Sequence, residues 1–258
     1  MKKQFLTLFL LLLPIGAFSQ GLNVHPRYLV NMPIASTLPR ASFDVSMYSF
    51  AHGGLLAGLE VGMTERFMFG VTFGGINVIG ENEVDWHPFA GASARFQLVR
   101  ETYNLPSVSF GFNSQGQGRY LADYKRFERK STGFFTVVSK VYEVFDHLSC
   151  TVGMNYSLEN QDKDDDLNLF SGIELGVSTD LALMLEYDFA LNDNSEELSN
   201  VFDDGGNPIS GRGEGYLNFG VRYRIKNAVY FEANLIDLTE NKFQGTRRSV
   251  KITYFEFF

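Results

Sequence analysis

With one cysteine, Cys150, the chain can form neither an internal disulfide nor a cysteine metal cluster. Basic residues are in deficit, 22 against 30 acidic, for a net charge of -8, and no basic patch stands out. That argues against nucleic acid as a partner. Apolar runs of membrane-helix length are missing after the first twenty residues, and a mean hydropathy of -0.08 is too polar for a bundle of membrane helices. No long stretch shows a helical repeat. What is abundant is glycine and phenylalanine, 25 of each, with aromatics at 15%. The chain is therefore too apolar and aromatic to be disordered, and the mixture points to many short strands.

Residues 1–19 read as a secretory signal peptide. Lys2 and Lys3 form the positive start, Phe5 to Leu13 the apolar run, and Ala17-Phe18-Ser19 a small-x-small cleavage site. No cysteine follows that site, which excludes a lipoprotein. Residues 20–40, with Pro26, Pro33 and Pro39, cannot pair regularly and read as a periplasmic leader or a plug in a barrel lumen. Residues 41–258 carry a period of two in twelve segments of about ten residues. Leu55, Ala57, Leu59, Val61 and Met63 alternate with Gly58, Glu60 and Gly62, for example, and Leu217, Phe219, Val221 and Tyr223 with Asn218, Gly220 and Arg222. Only 134–142 is ambiguous, because either face could be the apolar one.

The connections choose the architecture. Short links at 64–66, 99–105, 143–147, 178–180 and 226–228 alternate with long ones at 75–88, 113–133, 157–166, 190–215 and 237–248; only the first link, 50–54, breaks the pattern by being short. A soluble sandwich has no reason for that asymmetry; an antiparallel transmembrane outer-membrane β-barrel has it by construction. Lipid also demands closure, because every backbone polar group must be paired within the sheet. Val250, Ile252, Tyr254 and Phe258 resemble the C-terminal recognition signal of clients of the barrel-assembly machinery, with Glu256 breaking the alternation. Expected surroundings are the lipid and lipopolysaccharide of a Gram-negative outer membrane.

With the apolar set facing lipid, the polar set lines the lumen: Glu60, Arg95, Glu174, Glu186, Asp188, Arg222 and Arg224, with Lys140, Glu232 and Lys251. Glu186 and Asp188 are expected beside Arg222, and Arg224 near them, since their strands are neighbours and charges in a low-dielectric interior must pair. Most in-strand glycines fall on the same face, among them Gly62, Gly172 and Gly220, either to curve the wall or to leave room for a plug or ligand. Twelve strands lie between barrels filled by their own side chains and open channels, so strand number leaves the lumen undecided.

Chemistry is not legible. His25, His52, His87 and His147 lie in the leader, loops and a turn, with no serine in a nucleophile motif near them. Asp162, Asp164, Asp165 and Asp166 form an acidic loop without the glycine and spacing of a calcium loop, and read as solvated. No enzyme, cofactor or metal site is expected.

Several short stretches are familiar: Thr37-Leu38-Pro39-Arg40-Ala41-Ser42-Phe43, Gly74-Gly75-Ile76-Asn77-Val78-Ile79-Gly80, Gly111-Phe112-Asn113-Ser114-Gln115-Gly116 and Asn168-Leu169-Phe170-Ser171-Gly172. Together they resemble the YjbH-like outer-membrane proteins, a group linked to exopolysaccharide export, over about residues 34–258. The resemblance implies a non-enzymatic barrel assisting that export, with polysaccharide or its export proteins as partners. The residues themselves leave two alternatives: a narrow porin or solute channel, and a structural or adhesive barrel that binds partners through its loops.

Overall fold

The computed structural model describes residues 26–258 apart from 196–197, 199–200, 203–205, 207, 227 and 243–245. The signal-peptide reading of residues 1–19 and His25 lie outside the described residues. The strands are β1 (Ser42–Phe50), β2 (Gly54–Gly62), β3 (Phe67–Ile76), β4 (Asp85–Trp86), β5 (Gly91–Val99), β6 (Ser107–Asn113), β7 (Gln117–Leu121), β8 (Arg126–Arg129), β9 (Gly133–Tyr142), β10 (His147–Tyr156), β11 (Asn168–Gly176), β12 (Leu181–Asp188), β13 (Tyr216–Ile225), β14 (Val229–Ile236) and β15 (Arg247–Phe257). Leaving aside β4, which extends β3 at its end, and the β7–β8 hairpin, twelve strands pair antiparallel with their sequence neighbours. The ring closes where β1 meets β15, in register from Ser42 opposite Phe257 to Ser49 opposite Val250. The fold is thus a closed twelve-stranded barrel with no free edge, the condition for a sheet in lipid.

Burial runs opposite to that of a soluble protein. Met47 is 52% exposed, Phe73 46% and Ile252 46%, with Leu59, Phe69, Val71, Phe110, Met154, Ile173 and Phe231 in the same outer belt. The inner positions, by contrast, hold buried Asp44, Glu60, Arg95, Glu174, Glu186, Arg222 and Glu232. An outer apolar belt and an ionic interior are what alternate side chains on a lipid-facing wall require. Leu185, in the middle of β12 and outward, supplies a direct test. Leu185→Arg is expected to destabilise the barrel by about 2–4 kcal/mol in denaturant unfolding from bilayers if it sits at mid-depth.

The ambiguous segment is β9. Phe134 faces out, whereas Phe135 and Val137 are buried within the lumen. Both faces are apolar because the inner one packs against the leader, which erases the period. Lys140 is a correction. It follows inward Ser139 and so points to the outer face at the short-turn end, where its ammonium donates to the carbonyls of Thr102 (2.6 Å) and Tyr103 (3.1 Å) beside Glu101. It is no part of the lumen.

Candidate functional site

The lumen is occupied by the chain's own leader. Residues 26–40 enter from the short-turn end, rise to a tight turn at 29–32 and descend again. The turn is closed by the Leu29 N–H donating to the Met32 carbonyl (2.9 Å), and a bridge between Tyr28 and Pro33 holds the two legs together. The apolar core consists of small patches, each with a leader residue in it. Met32 and Ala35 pack with Phe135, Val137 and Phe170; Val30 with Met184 and Ile236; Leu38 with Met68 and Phe255.

Polar groups of the wall hold the leader backbone. Glu186 is fully buried, and its Oε2 accepts the backbone N–H groups of Val30 (3.0 Å), Asn31 (2.8 Å) and Met32 (2.8 Å). Its Oε1 accepts from Asn218 Nδ2 at 2.7 Å. One wall carboxylate thus answers three donors that a sharp turn cannot pair internally. Arg95 Nη1 donates to the carbonyls of Arg27, Ile34 and Ser36, and Arg222 Nη2 to those of Tyr28 and Leu29. The Tyr28 ring sits 5.1 Å from the Arg95 guanidinium and 4.8 Å from the Lys251 ammonium, its hydroxyl donating to Glu60. In turn, Arg27 of the leader pairs with Asp44 and lies 3.7 Å from Glu60. Serines 107 and 109 donate to the Ala35 carbonyl.

The expected pairing of Glu186 with Arg222 does not form. The β12–β13 register sets Arg222 opposite Ala182, toward the short-turn end, and Glu186 opposite Asn218. Arg222 instead bridges Glu174 and Glu232, while Asp188 takes Asn168 and Arg129 (2.9 Å). Arg224 stands at the rim with Asp180, 3.3 Å away. Adjacent strands were readable in the sequence; their stagger was not.

Glycines make the room. A Cβ on Gly172 would lie 2.6 Å from Leu29 Cδ1, one on Gly220 3.2 Å from Val30 Cγ2, and one on Gly62 against the Pro39 carbonyl. A side chain at any of these would take the leader's space. At Gly220 the nearer clashes are with the wall's own Asn234 Oδ1 (2.4 Å) and Met184 Cε (2.6 Å), so Gly220→Val is expected to disturb the inner wall as well as Val30, seen as faster protease cleavage of the leader together with lower barrel stability in denaturant.

A second closure lies at the long-loop end. The segment expected as a plain loop at 113–133 contains the β7–β8 hairpin, tied down over the mouth by Arg126, which is fully buried. Its guanidinium reaches Asp162 at 2.5 Å and Asp193 at 2.7 Å, joining three loops. Lys130 adds Asp162 (2.7 Å), and Glu159 accepts the N–H groups of Phe127 and Ser131. Lys242 donates to the Glu128 and Ile209 carbonyls beside Asp193, and burial pushes its ammonium down to about 8. The acidic loop read as solvated is therefore buried at Asp162 and Asp164, because an arginine distant in sequence claims it. His87 is buried against the Gly118 carbonyl, 3.1 Å away, and His147 lies between Asp146 and Glu174 at the opposite end. Among the described residues, no group of three histidine, cysteine or acidic side chains could hold a metal ion.

Between leader and wall a cavity of about 130 Å³ remains, bordered by Tyr28, Asn31, Tyr48, Tyr230, Glu232 and Lys251. Toward the mouth a second space of about 50 Å³ follows, and Tyr48, Gln117 and Arg129 border both. Val250, Ile252 and Tyr254 lie on the outer face of β15, and the Phe258 N–H donates to the Ala41 carbonyl (2.8 Å).

No family model and no curated protein matches this chain. Among solved structures it is similar to the KdgM porin, with 13% identity, 83% of this chain and 98% of that one covered, and a TM-score of 0.46. It is also similar to the NanC porin (10% identity, 84% and 99% covered, TM-score 0.46) and to an outer-membrane channel from Pseudomonas putida F1 (9%, 86% and 98%, TM-score 0.44). The closed barrel itself follows from the strand register given above.

Proposed function

We propose that this chain is a non-enzymatic solute channel of a Gram-negative outer membrane, held closed by its leader. The observation that carries the reading is how the lumen is filled. Its centre is taken by residues 26–40, a strandless segment, and not by interlocking wall side chains. The wall behind that segment is lined by Glu60, Arg95, Glu174, Glu186, Arg222, Glu232 and Lys251, groups that water would solvate if the segment moved. In this reading the long loops face outward, the short turns and the leader face the periplasm, and the outer belt meets lipid and lipopolysaccharide. The last strand, with Val250, Ile252, Tyr254 and Phe258, is the part the barrel-assembly machinery would engage.

Single-channel recording in planar bilayers tests this. The protein from residue 20 onward is expected to be silent or nearly so, and the same protein lacking residues 20–40 to conduct steadily. Silence in both counts against a channel. The stretches that resemble YjbH-like proteins support a second reading, assistance in exopolysaccharide export. It predicts that deleting the gene lowers secreted polysaccharide, and unchanged secretion removes it.

A further inference from the structure

The lumen has two closures built from distant parts of the chain, and each has fastenings of its own. Arg95 and Arg222 hold the leader, while Arg126, Lys130 and Glu159 hold the β7–β8 hairpin. Two independent gates would need nothing more. Yet the hairpin also reaches down to the leader's seat. Gln117 and Arg129 face each other across its base. Gln117 Nε2 donates to Asn31 Oδ1 at 2.7 Å, and Asn31 is the tip of the leader. Arg129 lies 3.9 Å from Glu186, the carboxylate that holds that tip, and 2.9 Å from Asp188 two residues on. Tyr48 of the wall completes the junction, its hydroxyl 3.3 Å from the same Asn31 oxygen. One rung of the hairpin therefore grips both the leader and the leader's anchor.

We infer that the hairpin and the leader are one cooperative closure, coupled through Asn31 and Glu186 to the Gln117–Arg129 rung, so that lifting the hairpin from the long-loop side loosens the leader in the lumen. The inference deepens the channel reading, but the coupling is a property of the folded chain whether or not ions pass. If the hairpin rises, the Asn31 side-chain oxygen loses its Gln117 donor and Glu186 a neighbouring cation, both at the point where the leader turns. The reverse holds by reciprocity: a leader pulled toward the short-turn end withdraws Asn31 from Gln117. Tyr48, Gln117 and Arg129 border both cavities, so this junction is also where a continuous passage would have to open.

Amide hydrogen exchange of the protein from residue 20 onward in lipid nanodiscs tests it, with Asn31→Ala, Gln117→Ala and the double variant. Each single change is expected to speed exchange about tenfold in both segments, 28–34 and 117–129. The double variant should add little to the larger single effect, because both remove the same link. If Asn31→Ala speeds only the leader and Gln117→Ala only the hairpin, the two closures are independent and the inference falls. Should Asn31→Ala not fold, Gln117→Ala reads the coupling alone through the leader's exchange rate. Coupled exchange in a protein that never conducts would keep this inference and remove the channel.

Discussion

Replacing Glu186 with leucine is expected to unseat the leader while the barrel wall stays closed. The substitution leaves the buried N–H groups of Val30 and Met32, the part-buried one of Asn31 and the Asn218 amide without their acceptor. Each stranded donor costs about 1–3 kcal/mol, so the seated leader should lose at least about 3 kcal/mol. The wall itself loses only the Asn218 side-chain bond. Its ladder to β13 is carried by backbone pairs from Leu181–Tyr223 to Asp188–Tyr216, which a leucine keeps. The check is twofold: protease access to residues 26–40 from the short-turn side, and bilayer conductance. An intact, protected leader in Glu186→Leu would mean that Arg95 and Arg222 suffice to hold it.

The second large effect belongs to Arg126. Arg126→Met should open the outer cap at a cost of about 3–5 kcal/mol, the usual penalty for removing one member of a buried charge cluster. Asp162 and Asp193 would keep Lys130 and Lys242 as cations, with the Asp164 N–H and the Tyr216 hydroxyl as neutral donors. The β7–β8 hairpin and the 157–167 loop should then become cleavable from the long-loop side, while the barrel wall stays intact. A pH dependence follows. Burial alone would raise the Asp193 carboxyl, but Arg126 and Lys242 outweigh it and hold it below its ordinary value of 3.8. A carboxylate with a lowered folded pKa gives its full stabilisation above the unfolded value and loses it as pH falls through the folded one. In the wild type the contribution of Asp193 should therefore stay complete down to about pH 4 and fade only in stronger acid. In Arg126→Met the folded value moves up towards the unfolded one, so this acid-dependent loss should become smaller.

The barrel was legible because its wall has one physical rule, lipid outside and polar groups inside, and a strand writes that rule with a period of two. The rule faltered where a third party entered. Phe135 and Val137 face the lumen yet are apolar because Met32 and Ala35 lie against them, so β9 showed two apolar faces. The polar lining was readable as a set, whereas its partners were not. Besides Asn218, Glu186 is answered by a leader turn whose Val30 lies 156 positions away, and nothing local in either stretch announces the contact. The acidic run at 162–166 looked solvated for the same reason, since its buried partner Arg126 lies in a hairpin that read as loop. Lys140 was misplaced by a single position on the one strand whose alternation had been lost.

The long reach of the leader's bonds also sets an order of events. The leader precedes β1 in the chain, yet its seat is made by strands from β1 to β15, and the bond from Arg222 to the Tyr28 carbonyl spans 194 residues. Contacts of such separation form late, because the chain between them must first be in place. The first residues described are thus among the last to settle. A barrel that seats its leader last would spend part of its insertion with Glu60, Arg95 and Arg222 uncovered and hydrated.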